Sequence, residues 1–120
     1  MLIQSDSHEN LVIVRPQGDV SKSVAAELNE LLDAAIDDGA RLMVFDCSGL
    51  SHMSSDGLKV LLNTLRRLRD TNGQAVLAAA SGRVHSVMEA SGLMAVMHTY
   101  DSTEAAIEAL GEENPHRDGA

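Results

Sequence analysis

The chain has no tryptophan and only two other aromatic residues, Phe45 and Tyr100, so aromatics make up 2% of its 120 residues. That scarcity removes the stacking platforms on which single-stranded nucleic acids are held. Hydrophobic residues still amount to 44%, so the interior must be aliphatic, built from Leu, Val, Ile, Ala and Met. Basic residues are also few: nine Lys plus Arg against eighteen Asp plus Glu give a formal net charge of −9. Such a field repels phosphate backbones and anionic bilayers, so no direct nucleic-acid contact and no membrane insertion is expected. Cys47 stands alone, which excludes an internal disulfide and a Cys-rich zinc site; it reads as a small, half-buried structural residue. His8, His52, His85, His98 and His116 offer no closely spaced ligand pair, so neither a metal nor any other cofactor is expected. The longest apolar stretches, Leu42 to Phe45 and Ala75 to Ala80, are far too short to span a bilayer. The first residues lack the basic start and apolar run of a signal peptide, so a cytoplasmic protein is expected. The length suits one domain around one core and excludes a two-domain enzyme.

What is present alternates. Leu2 to Gln4 and Leu11 to Arg15 read as short strands forming a hairpin across the polar loop Ser5 to Asn10. Pro16 and Gly18 should take the chain out of the sheet. Val24, Leu28, Leu31, Leu32, Ala35 and Ile36 recur at helical spacing between acidic residues, giving an amphipathic helix that Gly39 closes. Arg41 to Asp46 is a continuous apolar run between charges, the pattern of a strand covered on both faces. A polar loop, Cys47 to Ser55, precedes a second helical pattern, Leu58, Leu61, Leu62, Leu65 and Leu68, stopped by Asn72-Gly73. Ala75 to Ala80 is another buried strand. Ser81 can cap a short helix that Gly92 ends, and Leu93 to Thr99 supplies a last strand. Asp101 or Ser102 then caps a helix with Ala106, Ile107 and Leu110 inward. The pattern is α/β: a mixed, mostly parallel sheet of about five strands, one edge antiparallel, with helices packed against it. Residues 1–110 form this domain, and 111–120 read as a flexible acidic tail. In such sheets function sits in loops beyond the carboxyl ends of the strands, here Gln17 to Ser23 and Cys47 to Gly57.

The second of these loops carries the chemistry. Its hydroxyls lie where the first amides of a helix point outward unpaired, and an anion placed there gains about 0.3–1 kcal/mol from the helix dipole at an exposed site. Ser54 or Ser55 followed by Asp56 is equally a good helix start with no further role. The motifs Asp46-Cys47-Ser48, Met53-Ser54-Ser55-Asp56-Gly57-Leu58, Gly18-Asp19 and Ser91-Gly92-Leu93 resemble the STAS family, the anti-sigma factor antagonists of bacteria, in the family's order of elements from Leu11 to Leu110. The resemblance implies a single STAS-type domain and no enzymatic activity of its own. It places the family's phosphorylated serine on Ser55, with Ser54 as the fallback acceptor. It also implies a partner, an anti-sigma factor that is a serine kinase of the histidine-kinase ATPase type, and a serine phosphatase as the class of enzyme that would reset the switch. The implied partner-binding residues are Gly18, Asp19, Met53, Ser54, Ser55, Asp56, Gly57, Leu58 and Lys59. Two positions depart from the family pattern: its acidic residue before the acceptor is Ser54 here, and its following Ser or Thr is Asp56.

Lys59 follows Ser55 by four positions and can share a helix face with it. Arg66, Arg67 and Arg69 are accounted for as cations opposing the dipole near a helix carboxyl terminus. Asp19 reads better as a cap of the first helix than as a ligand contact. Because of the departures at Ser54 and Asp56, the main alternative is a STAS subunit of a lipid-transport ABC complex or a signalling scaffold, which needs no phosphorylation. A response-regulator receiver lacks its early acidic pair and its late lysine, since the lysines are Lys22 and Lys59. No G-x-S-x-G elbow or phosphate-binding glycine loop supports a hydrolase or transferase.

Overall fold

The computed structural model describes residues 3–8 and 10–113. Strands β1 (Ile3–His8) and β2 (Leu11–Pro16) form the antiparallel hairpin. β2 continues in parallel with β4 (Leu42–Asp46), which pairs with β6 (Gln74–Ala78) and that with β7 (Thr99–Tyr100), so the main sheet runs β1-β2-β4-β6-β7. Between them lie the helices α1 (Lys22–Asp37), α2 (Ser55–Asp70), α3 (Gly82–Ala90) and α4 (Thr103–Glu113). The mixed, mostly parallel five-stranded sheet and its covering helices are the expected architecture.

The apolar runs explain the layering. Along β4, Met43 and Phe45 point into the core shared with α1, α2 and α3, while Leu42 and Val44 point to the core under α4. β6 divides the same way, Ala75 and Leu77 on one face, Val76 and Ala78 on the other. A strand buried on both faces has no polar position, which is why these two read as unbroken apolar segments. α1 and α2 pack side by side, with Leu28, Leu32 and Ile36 facing Leu61, Leu65 and Leu68 within one buried cluster. Arg67 fastens the pair from outside, donating to Asp33 at 2.6 Å and Asp37 at 3.1 Å.

Several expectations change. β1 extends to His8, so the connection to β2 is shorter than the loop Ser5 to Asn10. The chain does not simply leave the sheet after Pro16. It forms β3 (Gly18–Val20), which pairs in parallel with β5 (Leu50–Met53) inside the segment expected to be loop, making a second, two-stranded sheet. Leu93 to Thr99 is not one strand: a 3-10 turn at Leu93–Ala95 buries Leu93 and Met97, and only Thr99–Tyr100 is extended. Those two buried residues are four apart, a helical rather than an extended spacing. Ser81 makes no side-chain cap bond, whereas the Ser102 hydroxyl accepts from the Ala105 amide at 3.1 Å. α4 continues past residue 110 to Glu113; the rest of the expected tail, 114–120, lies outside the described residues.

Candidate functional site

The small sheet brings the two loops together. Asp19 of β3 and His52 of β5 are register partners, and His52 Nδ1 lies 3.0 Å from Asp19 Oδ1 on the exposed face. Asp19 is therefore paired across the sheet rather than capping α1, whose N-cap position is Ser21, without a side-chain cap bond. Gly18 adopts φ +80, favourable only for glycine, and its amide donates to the Gly49 carbonyl at 2.8 Å. From the end of β3, the Val20 carbonyl accepts the Ser54 amide at 3.0 Å, so the loop before α1 is tied directly to the start of α2.

At that start the two serines have different environments. Ser54 is the N-cap: its hydroxyl accepts from the Gly57 amide at 3.1 Å, and its side chain is half-buried. Ser55 is the first helical residue and is exposed. Gly57 is buried, and a β-carbon there would collide with Met53 Sδ and sit 2.9 Å from Val20 Cγ1. Met53 itself is only 3% exposed, so Met53 and Gly57 seat the turn from below, while Ser55, Asp19 and Lys59 are exposed and Ser54, Asp56, Leu58 and Gly18 are half-buried. Ser54→Ala removes the cap and is expected to cost about 0.5–2 kcal/mol of stability, read as a lower urea midpoint, while leaving the Ser55 hydroxyl in place.

Lys22 and Lys59 both line the cleft between α1 and α2, with Asp56, Asn29 and Asn63. Asp46, at the end of β4, is held elsewhere. Its carboxylate accepts from the Ser48 amide at 3.0 Å and lies 3.4 Å from Arg15 Nε. Burial alone would raise its pKa, but the Ser48 amide and hydroxyl, the Thr103 hydroxyl and the Arg15 guanidinium outweigh burial and leave it below its ordinary value. It acts as a charged tie between β4 and the loop that follows.

Cys47 is more deeply buried than expected, at 3% exposure, and its thiol is pushed up to about 12 by burial and by the neighbouring Asp46 charge, against a hydrogen bond involving the Ala78 backbone. A thiol so rarely ionised is a poor nucleophile. Maleimide is accordingly expected to leave the folded protein unlabelled and to modify Cys47 only after denaturation; rapid labelling under native conditions would contradict this burial. Among the described residues no group of three or more His, Cys, Asp or Glu side chains is arranged to hold a metal ion, and no helix is long and apolar enough to cross a membrane.

The signal that sequence reading missed is the pairing of Asp19 with His52, which becomes visible only once β3 and β5 are set in register. A groove on the other side of α2, lined in part by Leu58 and Leu62, was equally hidden.

Comparison with known proteins bears on the family and the fold. The STAS domain family matches residues 3–106. A Bordetella bronchiseptica protein named as an anti-sigma factor antagonist, BtrV, is 34% identical over 110 residues, covering 92% of this chain and 95% of the relative. The anti-sigma-B factor antagonist of Staphylococcus aureus is 26% identical over 102 residues, covering 85% of this chain and 94% of its own. Among solved structures, the anti-sigma factor antagonist SpoIIAA in its unphosphorylated form superposes with a TM-score of 0.81 at 25% identity, over 90% of this chain and 95% of that one.

Proposed function

The chain belongs to the STAS domain family of anti-sigma factor antagonists, and from that premise we propose that it captures a cognate anti-sigma factor through the Ser55 surface until phosphorylation of Ser55 releases the partner. The partner proposed is a serine kinase of the histidine-kinase ATPase type, which phosphorylates its own antagonist. A serine phosphatase restores the binding form. In that form the sigma factor is free to join RNA polymerase, so transcription responds without this acidic protein touching DNA.

The observation that carries the reading is the division of labour between neighbouring hydroxyls. Ser54 is occupied as a cap, whereas Ser55 is exposed at the mouth of α2, on a surface shared by the β3 and β5 loops. A kinase needs a reachable hydroxyl, and a switch needs that hydroxyl inside the contact area. Asp19, Gly18, Leu58 and Lys59 surround the proposed contact, and the buried Met53 and Gly57 keep its turn rigid. That SpoIIAA was solved in a form designated unphosphorylated supports phosphorylation as a property of this kind of domain. Asp56 beside the acceptor means that a phosphate there meets a like charge as soon as water is excluded.

The test is intact-mass measurement after incubation with Mg-ATP and each kinase-type anti-sigma factor of the source genome. Wild type is expected to gain one phosphate and Ser55→Ala none. Modification that survives in Ser55→Ala moves the acceptor to Ser54. Absence of both modification and binding across the whole set rules the reading out.

A further inference from the structure

One turn beyond Ser55, α2 borders a groove of about 310 Å³ whose other wall is the end of α3 and the 3-10 turn. Its floor is apolar: Leu58 and Leu62, four residues apart on one helix face, meet Leu93 and Val96. Val96 is the exposed large hydrophobic among the described residues, at 42%. It is held in place, since the Arg69 guanidinium donates to its backbone carbonyl at 2.9 Å.

The rim is cationic. Of the four basic residues of α2, Arg67 is spent on Asp33 and Asp37 and Arg69 on the Val96 carbonyl. Lys59 and Arg66 remain, both exposed, both lining the groove, and neither ion-paired among the described residues. In a chain with a net charge of −9, two cations without an ion-pair partner beside a partly exposed apolar floor are conspicuous. Opposing the α2 dipole accounts for Arg66, towards the carboxyl end, but not for Lys59 near the amino-terminal end, nor for an apolar floor between them.

We infer that this groove is a second docking site for the anti-sigma factor, taking an amphipathic segment whose apolar side chains cover Leu58, Leu62 and Val96 and whose carboxylates face Lys59 and Arg66. The inference rests on the proposed function, because the groove is continuous with the Ser55 surface through Leu58 and Lys59. Charge selects the occupant. A nucleic acid or an anionic bilayer presents dense charge over an extended surface to the −9 field of the whole molecule, whereas a short segment with one or two carboxylates is repelled far less and can pair with the two local cations. The chain's own residues 114–120 follow α4, which packs on the opposite face of the main sheet from α2 and α3.

Val96→Asp and Arg66→Glu alter exposed side chains, so the thermal midpoint should stay within a degree or two of wild type, a shift that reflects only a fraction of a kcal/mol. Both are tested with the kinase-type anti-sigma factor that binds and phosphorylates wild type. Each is expected to weaken binding about tenfold or more and to raise KM for Ser55 phosphorylation by a similar factor, with kcat unchanged, as befits lost uniform binding. Reversing an acidic residue of the partner should restore Arg66→Glu. Unchanged binding and KM in both variants, while Ser55→Asp still abolishes binding, removes the groove and leaves the proposed function intact. Failure of wild type to bind any such factor removes both. Concentration-dependent dimerisation of wild type that Val96→Asp abolishes puts a second copy in the groove, and perturbation of the Leu93 and Val96 amide resonances on deleting 114–120 puts the terminus there; either result overturns the inference.

Discussion

Ser55→Asp is expected to lower affinity for the anti-sigma factor by about 150-fold to several thousand-fold while leaving the fold as stable as wild type or slightly more so. The two effects have opposite signs because one charge meets two environments. In the free protein a carboxylate at the first helical position faces unpaired amides and the positive end of the α2 dipole, worth about 0.3–1 kcal/mol in its favour. In the proposed complex that carboxylate would lose water against a surface shaped for a neutral hydroxyl, beside Asp56, and an uncompensated buried charge costs about 3–5 kcal/mol. Phosphoserine, with about −1.5 to −2 charges, acts in the same direction. Ser55→Ala should bind like wild type and escape modification. Isothermal titration with the unphosphorylated partner, set beside urea denaturation of the free variants, reads both signs at once. Equal affinity of wild type and Ser55→Asp would remove the switch; a Ser55→Asp chain that has lost its fold would show instead that the start of α2 is a structural position.

How much of this was legible in the sequence depends on whether a segment's neighbours are local. α2 announces itself because Leu58, Leu61, Leu65 and Leu68 recur at helical spacing, and its end because Asn72 takes φ 64 while Gly73 packs where a β-carbon would strike the Arg41 carbonyl. β4 and β6 were equally plain, since burial on both faces leaves no polar position. β5 was not. Four residues long, with Ser51 and His52 exposed, it has no pattern of its own and exists by pairing with the three residues of β3, some thirty positions earlier. The site shows the same division. The α2 start was readable from Ser54-Ser55-Asp56-Gly57, but which serine caps and which stays free is decided by a 3.1 Å bond to the Gly57 amide. The three arginines of α2 looked like one cluster opposing a dipole, with Lys59 set apart by its place four residues after Ser55. Only packing separates Arg67 and Arg69, which have partners, from Lys59 and Arg66, which border an apolar groove.

The largest expected loss of stability comes from Phe45→Ala. Phe45 is 1% exposed on β4, between Val14 of β2 and Leu77 of β6 in register, and it faces the core shared with α1 and α2. The chain's other aromatic, Tyr100, packs on the opposite core, so no second ring is available to fill the space. Deleting a buried phenyl group forfeits its transfer free energy and leaves a cavity that neighbours on a fixed strand close only in part, at a cost of about 3–5 kcal/mol. Set against the roughly 5–15 kcal/mol that holds a domain together, this is a large share of the whole. Phe45→Leu keeps most of the volume and should cost less than about 1.5 kcal/mol. In urea the Phe45→Ala midpoint should fall sharply with an unchanged slope, the sign of lost native stability rather than an altered unfolded state. The consequence for function follows from position: β4 ends at Asp46, whose bonds to Ser48 and Arg15 anchor the segment leading into β5 and α2. At temperatures where Phe45→Ala stays folded its antagonist surface should remain intact, so partner binding should be lost in step with unfolding. Binding that vanishes while the far-UV circular dichroism is still native would instead mean that this core holds the Ser55 surface in place directly.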